Sequence, residues 1–80
     1  MITVTIELMA AVRNPFESKK RKNNLQLDSS LSVQKLLLQI GFNMGEISWF
    51  VTIVNGKRVT SDYQVQNEDI IFITLPIGGG

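Results

Sequence analysis

An α+β fold, with one helix packed across one face of a mixed sheet of four or five strands, is what this 80-residue sequence predicts. Three observations predict it. Ile2, Val4, Ile6 and Leu8 alternate with Thr3, Thr5 and Glu7, the period of a half-buried strand rich in β-branched residues. Val33, Leu36, Leu37 and Ile40 then fall at i, i+3, i+4 and i+7, one stripe of an amphipathic helix. Residues 70–75 form a nearly continuous apolar strand. A sheet built from sequential neighbours would leave the helix without a face to cover. Placing the first and last strands side by side at the centre, parallel and joined by the crossover that holds the helix, buries every stripe. That arrangement is a β-grasp.

Each element has its own signals. After the first strand, Met9 to Val12 continues apolar until Arg13-Asn14-Pro15 breaks it, and Phe16 is expected to fold back onto the core. Residues 17–24 read as a solvated loop carrying Lys19-Lys20-Arg21-Lys22. A phosphate-binding patch is the alternative, but four adjacent charges without interleaved aromatics favour the solvated reading. Leu25 and Leu27 around Gln26 make a short second strand ending at Asp28. Ser32 caps the helix, Leu31 is placed to staple against Leu36, and Gly41 supplies the left-handed stop, with Phe42 beside it. So short a helix must be held by packing on the sheet. Residues 43–48 read as loop. Trp49 to Val54 is a β run closed by Asn55-Gly56, the favoured two-residue hairpin turn, with 57–60 returning. Its two faces, Trp49, Val51 and Ile53 against Phe50, Thr52 and Val54, are both largely apolar. Tyr63, Trp49 and Phe50 are expected in the core, and Val65 inward. Asn67-Glu68-Asp69 is a turn before the last strand.

In that last strand Ile71 and Ile73 share one side and Ile70 and Phe72 the other. Both sides are apolar, yet one short helix covers only one. An exposed apolar patch, with Ile70, Phe72 and Leu75 as candidates for partner contact, is the consequence.

Composition bounds the rest. At 44% hydrophobic and 19% charged, the chain fits one ordinary small globular domain. It has no cysteine and no histidine, hence no thiol nucleophile, thiolate metal site or imidazole base. Asp28, Asp62, Glu68 and Asp69 lack metal-ligand spacing. A net charge of +1 argues against wholesale nucleic-acid binding. No apolar run approaches membrane length and no leader pattern opens the chain, so the expected setting is cytoplasmic.

Residues 76–80, Pro76-Ile77-Gly78-Gly79-Gly80, read as a flexible tail on a single domain spanning 1–75. A glycine run has no side chains to pack and the largest ordering entropy of any sequence. Fully extended, five residues carry a terminal carboxylate about 17 Å from the body, into a channel too narrow for any Cβ. The carboxylate at Gly80 is a poor electrophile until it is made an acyl phosphate or adenylate. A frayed end is the bland alternative.

At this point the sequence resembles the sulfur-carrier branch of the ubiquitin-like β-grasp proteins. The resemblance rests on the Ser32-Val33 helix start with Leu36-Leu37, on Val54-Asn55-Gly56, on Glu68-Asp69 and on the ending Leu75-Pro76-Ile77-Gly78-Gly79-Gly80. Within that branch it is most similar to the small subunit of molybdopterin synthase, because a proline precedes the Gly-Gly end. It departs from the family in its stronger basic segment, in Asn67-Glu68-Asp69 where a Gly-Asp pair is common, and in the extra Gly78. The resemblance implies a carrier, with no resident cofactor, rather than a catalyst. A ubiquitin-activating-enzyme-like adenylyltransferase would use ATP to make a transient acyl-adenylate at Gly80. A persulfide sulfurtransferase would convert it to a thiocarboxylate, and a larger catalytic synthase subunit would receive the sulfur. Gly80 and Gly79 are then the reacting end, and Ile70, Phe72, Leu75, Pro76, Ile77 and Gly78 the partner interface, with no membrane involved. A protein modifier conjugated through Gly80, a sulfur donor for thiamine or tRNA thiolation, and a pure binding module are the rival readings. Arg13 and Lys57 are candidates to steer an acidic partner.

Overall fold

The computed structural model describes residues 1–76, so the expectations placed on Ile77, Gly78, Gly79 and Gly80 lie outside the described residues. Seven elements follow in order: β1 (Ile2–Leu8), β2 (Lys22–Leu27), α1 (Val33–Ile40), α2 (Met44–Ile47), β3 (Val51–Val54), β4 (Lys57–Val59) and β5 (Ile70–Thr74). The strands form one five-stranded sheet in the order β2-β1-β5-β3-β4. β1 and β5 are adjacent and parallel, from Thr5 opposite Ile70 to Leu8 opposite Ile73, and the other pairings are antiparallel. The predicted β-grasp topology is therefore the observed one.

Alternation within the strands decides where the core sits. Val4, Ile6, Leu8, Val54, Ile71 and Ile73 point to one face, where α1 lays Val33, Leu36 and Leu37 over them, and all are buried. Val12, Phe42, Ile47 and Val65 close the edges of the same cluster. Burying each such side chain contributes about 1.5–3 kcal/mol, enough to hold an eight-residue helix that would not persist alone.

Both ends of α1 form as the sequence signals. The Ser32 hydroxyl accepts from the Lys35 N–H, and Leu31 is half-buried against the core. Gly41 takes φ 125°, and its N–H and that of Phe42 donate to the Leu37 carbonyl. The positive φ favours glycine at Gly41, and a Cβ there would also stand 3.3 Å from the Pro15 Cβ, a tight contact. Asn55 and Gly56, at φ 52° and 84°, make the tight β3–β4 turn.

Three expectations are corrected. Residues 43–48 are not simply loop, since they hold the single-turn helix α2. Asn43 Oδ1 accepts from the Glu46 N–H at 2.8 Å, and Glu46 Oε1 accepts from the Asn43 N–H at 3.1 Å, a complete capping box. That turn displaces the start of β3 to Val51. The Trp49 and Phe50 N–H groups still bond back to Glu46 and Ile47, which leaves Trp49 70% exposed instead of in the core. Phe50 is half-buried, its ring edge-on to Phe42 at 4.9 Å between centroids. Finally, β2 begins at Lys22, three residues earlier than its apolar pattern suggests, because pairing with β1 extends to Glu7.

Candidate functional site

The face of the sheet away from α1 carries the side chains that alternation sends outward. On β5 these are Ile70, Phe72 and Thr74, and on β3 Val51 and Ile53. The register sets Phe72 between Glu7 of β1 and Ile53 of β3, and Ile53 opposite Arg58 of β4. An apolar strip, Ile70–Phe72–Ile53–Val51, thus runs down the middle of the sheet with an acidic residue on one flank and a basic residue on the other. Ile70 is 53% exposed, while Phe72, Ile53 and Val51 are half-buried among their neighbours. No element among the described residues covers this strip.

The same strand leads toward the chain's glycine-rich end. β5 finishes beside the start of β3, at the Thr74–Val51 pair, and Leu75 then turns its side chain against the core while Pro76 is exposed. Thr74 is tied back to the Met9 sulfur and Met9 N–H donates to the Ile73 carbonyl, so the strand is held until its last residue. Of the predicted interface residues, Ile70 and Phe72 lie on the outward face of β5, whereas Leu75 and Pro76 follow the strand, Leu75 packed against the core and Pro76 exposed. Ile77, Gly78, Gly79 and Gly80 lie outside the described residues.

The start of β5 is fixed by a polar network that sequence reading assigned only to turn chemistry. Asp69 is buried, and its carboxylate accepts three bonds: from Asn55 Nδ2 at 2.8 Å, from the Tyr63 hydroxyl at 2.9 Å and from the Gln66 N–H at 2.8 Å. A buried carboxylate without a cation is tolerated when its lone pairs are satisfied in this way. Hydrogen bonding to Asp69, then desolvation, raises the Tyr63 hydroxyl above its usual pKa and keeps it a donor. Asn55 also exchanges bonds with the Ile70 backbone, accepting from its N–H and donating to its carbonyl. Glu68 sits at φ 70° with its N–H on the Thr3 carbonyl, while Asn67 Oδ1 accepts from the Thr3 N–H. β5 is thereby pinned to β3 and β1 before its first outward side chain. The visible signal was the Asn55-Gly56 turn paired with Glu68-Asp69, but nothing in one dimension joins them.

Two arginines are structural. Arg13 grips Glu46 through two bonds of 2.8 Å, donates to the Gly41 carbonyl and lies 5.5 Å from the Phe42 ring centre. It joins the end of α1 to α2, and is thus engaged internally. Arg13 hydrogen bonding, then the Asn43 N–H, lowers the Glu46 carboxyl to about 2. Arg21 donates to the Met9 and Val12 carbonyls, closing the loop after β1. Lys19, Lys20, Lys22 and Lys57 remain exposed. Among the described residues no group of acidic side chains is placed to hold a metal, and no helix is long and apolar enough to cross a membrane.

Neither a protein-family model nor a curated protein sequence matches the chain. Solved structures do. A protein described as molybdopterin converting factor subunit 1 from Pyrococcus furiosus superposes with a TM-score of 0.70 at 17% identity, covering 96% of this chain and 100% of its own. SAMP1 from Haloferax volcanii gives 0.70 at 16% identity over 98% and 99%. A second structure of that species' small archaeal modifier protein 1 gives 0.74 at 12% identity over 96% and 100%. Matches this complete in both directions, at this identity, establish a shared architecture, and the chain has the ubiquitin-like β-grasp fold.

Proposed function

We propose that this protein is a carrier whose C-terminal Gly80 is activated and loaded by partner enzymes. The observation that carries the reading is the coupling of the apolar strip to the glycine tail. The outward side chains of β5 give a partner something to grip, and in sequence that strand is followed by Leu75, Pro76 and the residues Ile77-Gly78-Gly79-Gly80. The likeness in fold to proteins described as a molybdopterin converting factor subunit and as small archaeal modifiers supports it.

In the sulfur-carrier form, the Gly80 carboxylate attacks the α-phosphorus of ATP on an adenylyltransferase and pyrophosphate leaves. The terminal sulfur of a partner's persulfide attacks the acyl carbon and expels AMP. A second partner thiol then cleaves the acyl disulfide, leaving a thiocarboxylate on Gly80 and a disulfide on the partner. Sulfur passes next to a synthase subunit, in molybdopterin formation by preference, with a thiazole or tRNA base as the other acceptors. This chain supplies the recognition face, the reach and the acyl group, and the partners supply the catalytic groups. Cytoplasmic enzymes of this kind are the expected partners.

The modifier reading is kept because two of the matched structures carry that name. There the activated Gly80 is joined to a lysine amine. Intact mass spectrometry separates the two after incubation with ATP, a sulfur donor and the host's activating enzyme. The carrier reading expects the mass gain of one oxygen replaced by sulfur, absent from a chain lacking Gly80. Adducts on lysines of other proteins would establish the modifier, and an unchanged mass with a competent enzyme would sink both.

A further inference from the structure

The single turn of α2 forms one wall of a cavity on the helix side of the sheet. Met44, Ile47 and Ser48 stand at i, i+3 and i+4, so one face of that turn carries all three to the cavity. The facing wall comes from Phe50, Thr52 and Val59, and Gln34 in the first turn of α1 closes one end. The Gln34 N–H donates to the Ser61 carbonyl and the Val33 N–H to the Tyr63 carbonyl, which fastens the segment after β4 to α1. The cavity measures about 400 Å³, within the range of sites that take small molecules.

Its polar groups differ in depth. Thr52 is 5% exposed, and among the described residues its hydroxyl has no hydrogen-bond partner. Yet no side-chain nitrogen or oxygen that is sealed from solvent lacks a partner among these residues. The Thr52 hydroxyl therefore opens onto the cavity it lines, at the inner end. A hydroxyl held at such depth with no protein partner marks a place for a ligand atom. The Ser48 and Thr60 hydroxyls are already used, on the Gly45 carbonyl and on Asp62. At the mouth Arg58 is the one charged residue of the lining, is exposed, and makes no ion pair among the described residues. Neither Glu46 nor Asp62 lines the cavity. Between the two ends lie the Phe50 ring and the half-exposed Met44 thioether, groups that pack well against a flat ring.

We propose that this cavity binds a small aromatic carboxylate that carries a hydroxyl at the end remote from its carboxylate. The ligand hydroxyl bonds to Thr52 at the inner end, the ring lies against Phe50, Met44 and Val59, and the carboxylate meets the Arg58 guanidinium at the mouth. The lone positive charge of the lining selects an anion. The unpartnered Thr52 selects the second polar group, because a ligand without one would leave that hydroxyl unbonded. The cavity lies on the opposite side of the sheet from Ile70 and Phe72, and its occupancy does not involve Gly80.

The test uses the full chain, labelled with nitrogen-15, and three probes: para-hydroxybenzoate, benzoate, which lacks the hydroxyl, and para-hydroxybenzamide, which lacks the charge. Para-hydroxybenzoate should shift the amide resonances of Gln34, Ser48, Thr52 and Val59 to saturation, leaving Ile70 and Phe72 unmoved. Benzoate should bind about fivefold more weakly, the worth of one hydrogen bond. The amide should bind about threefold more weakly at low salt, as expected for an exposed charge pair. Thr52→Val should bind para-hydroxybenzoate and benzoate alike, with a urea midpoint no lower than the parent's, since no protein hydrogen bond is lost. Arg58→Gln should erase the preference for the carboxylate over the amide. Shifts that do not saturate, or that centre on Phe72, would overturn the proposal. So would a Thr52→Val chain that still prefers the hydroxylated probe, or one whose lowered midpoint shows that the hydroxyl serves the fold.

Discussion

The two faces of β5 are chemically alike and structurally opposite. Ile71 and Ile73 have no solvent exposure, whereas Ile70, one residue away, is 53% exposed. All three are isoleucine, so composition cannot be the cause. The inward pair lies under α1, and no helix among the described residues crosses the other side. Hydrophobicity in a strand states that burial is favourable, and the number of covering layers states whether it happens within one chain. A face left apolar after folding is the part of the molecule available for a partner.

Truncating the two faces should separate them most. Ile71→Ala leaves a cavity in the tightest part of the core and should lower the unfolding free energy in urea by about 4 kcal/mol. Ile70→Ser should stay within about 0.5 kcal/mol of the parent, yet reduce loading at Gly80 by the activating enzyme. Equal losses of stability would erase the distinction between the faces.

Next in size is the network that determines which side chains face outward. Asp69→Asn offers an amide where three donors converge, and should cost about 2–3 kcal/mol in thermal or urea unfolding. It should also speed amide exchange at Ile70 ahead of Ile73. If exchange at both rises equally, the network is not what anchors the start of the strand.

Glu68 sharpens the same point in the stabilising direction. A left-handed backbone at a non-glycine residue is strained by about 1–2 kcal/mol, part of which glycine returns as unfolded-state entropy. Glu68→Gly should therefore raise stability by about 0.5 kcal/mol, and a decrease would show that the glutamate side chain contributes more than the strain removes.

The smallest effect is pH-dependent and lies on the covered side, at the Arg13–Glu46 clasp. The folded-state carboxyl is held near 2, below its unfolded value of 4.5. Its stabilising contribution is present above 4.5 and is lost as pH falls from there through 2. Melting temperatures across that window should decline less steeply for Glu46→Gln than for the parent. Identical slopes would mean the clasp contributes nothing to acid sensitivity.

What was legible beforehand followed from local rules. The alternation of residues 2–8, the helical stripe at Val33, Leu36, Leu37 and Ile40, the Ser32 and Gly41 caps and the Asn55-Gly56 turn each express a short-range preference. Together they left one economical topology. Sequence reading missed α2, although the Asn43-Met44-Gly45-Glu46 spacing is that of a capping box, because one turn carries no periodicity to notice. It placed Trp49 in the core because an aromatic beside a β run is usually buried, and that single turn lifted it out.

The sequence by itself determined the five strands and α1, their order and the apolar strip's existence, since propensity, period and capping act over a few residues. Only the tertiary structure decided that Asp69 would meet Tyr63 and Asn55, that Arg13 would close on Glu46 and Gly41, and that Gln34, Thr52 and Arg58 would line one cavity. Those pairings join residues far apart along the chain, and the distances between them exist only once the sheet has set its order and register.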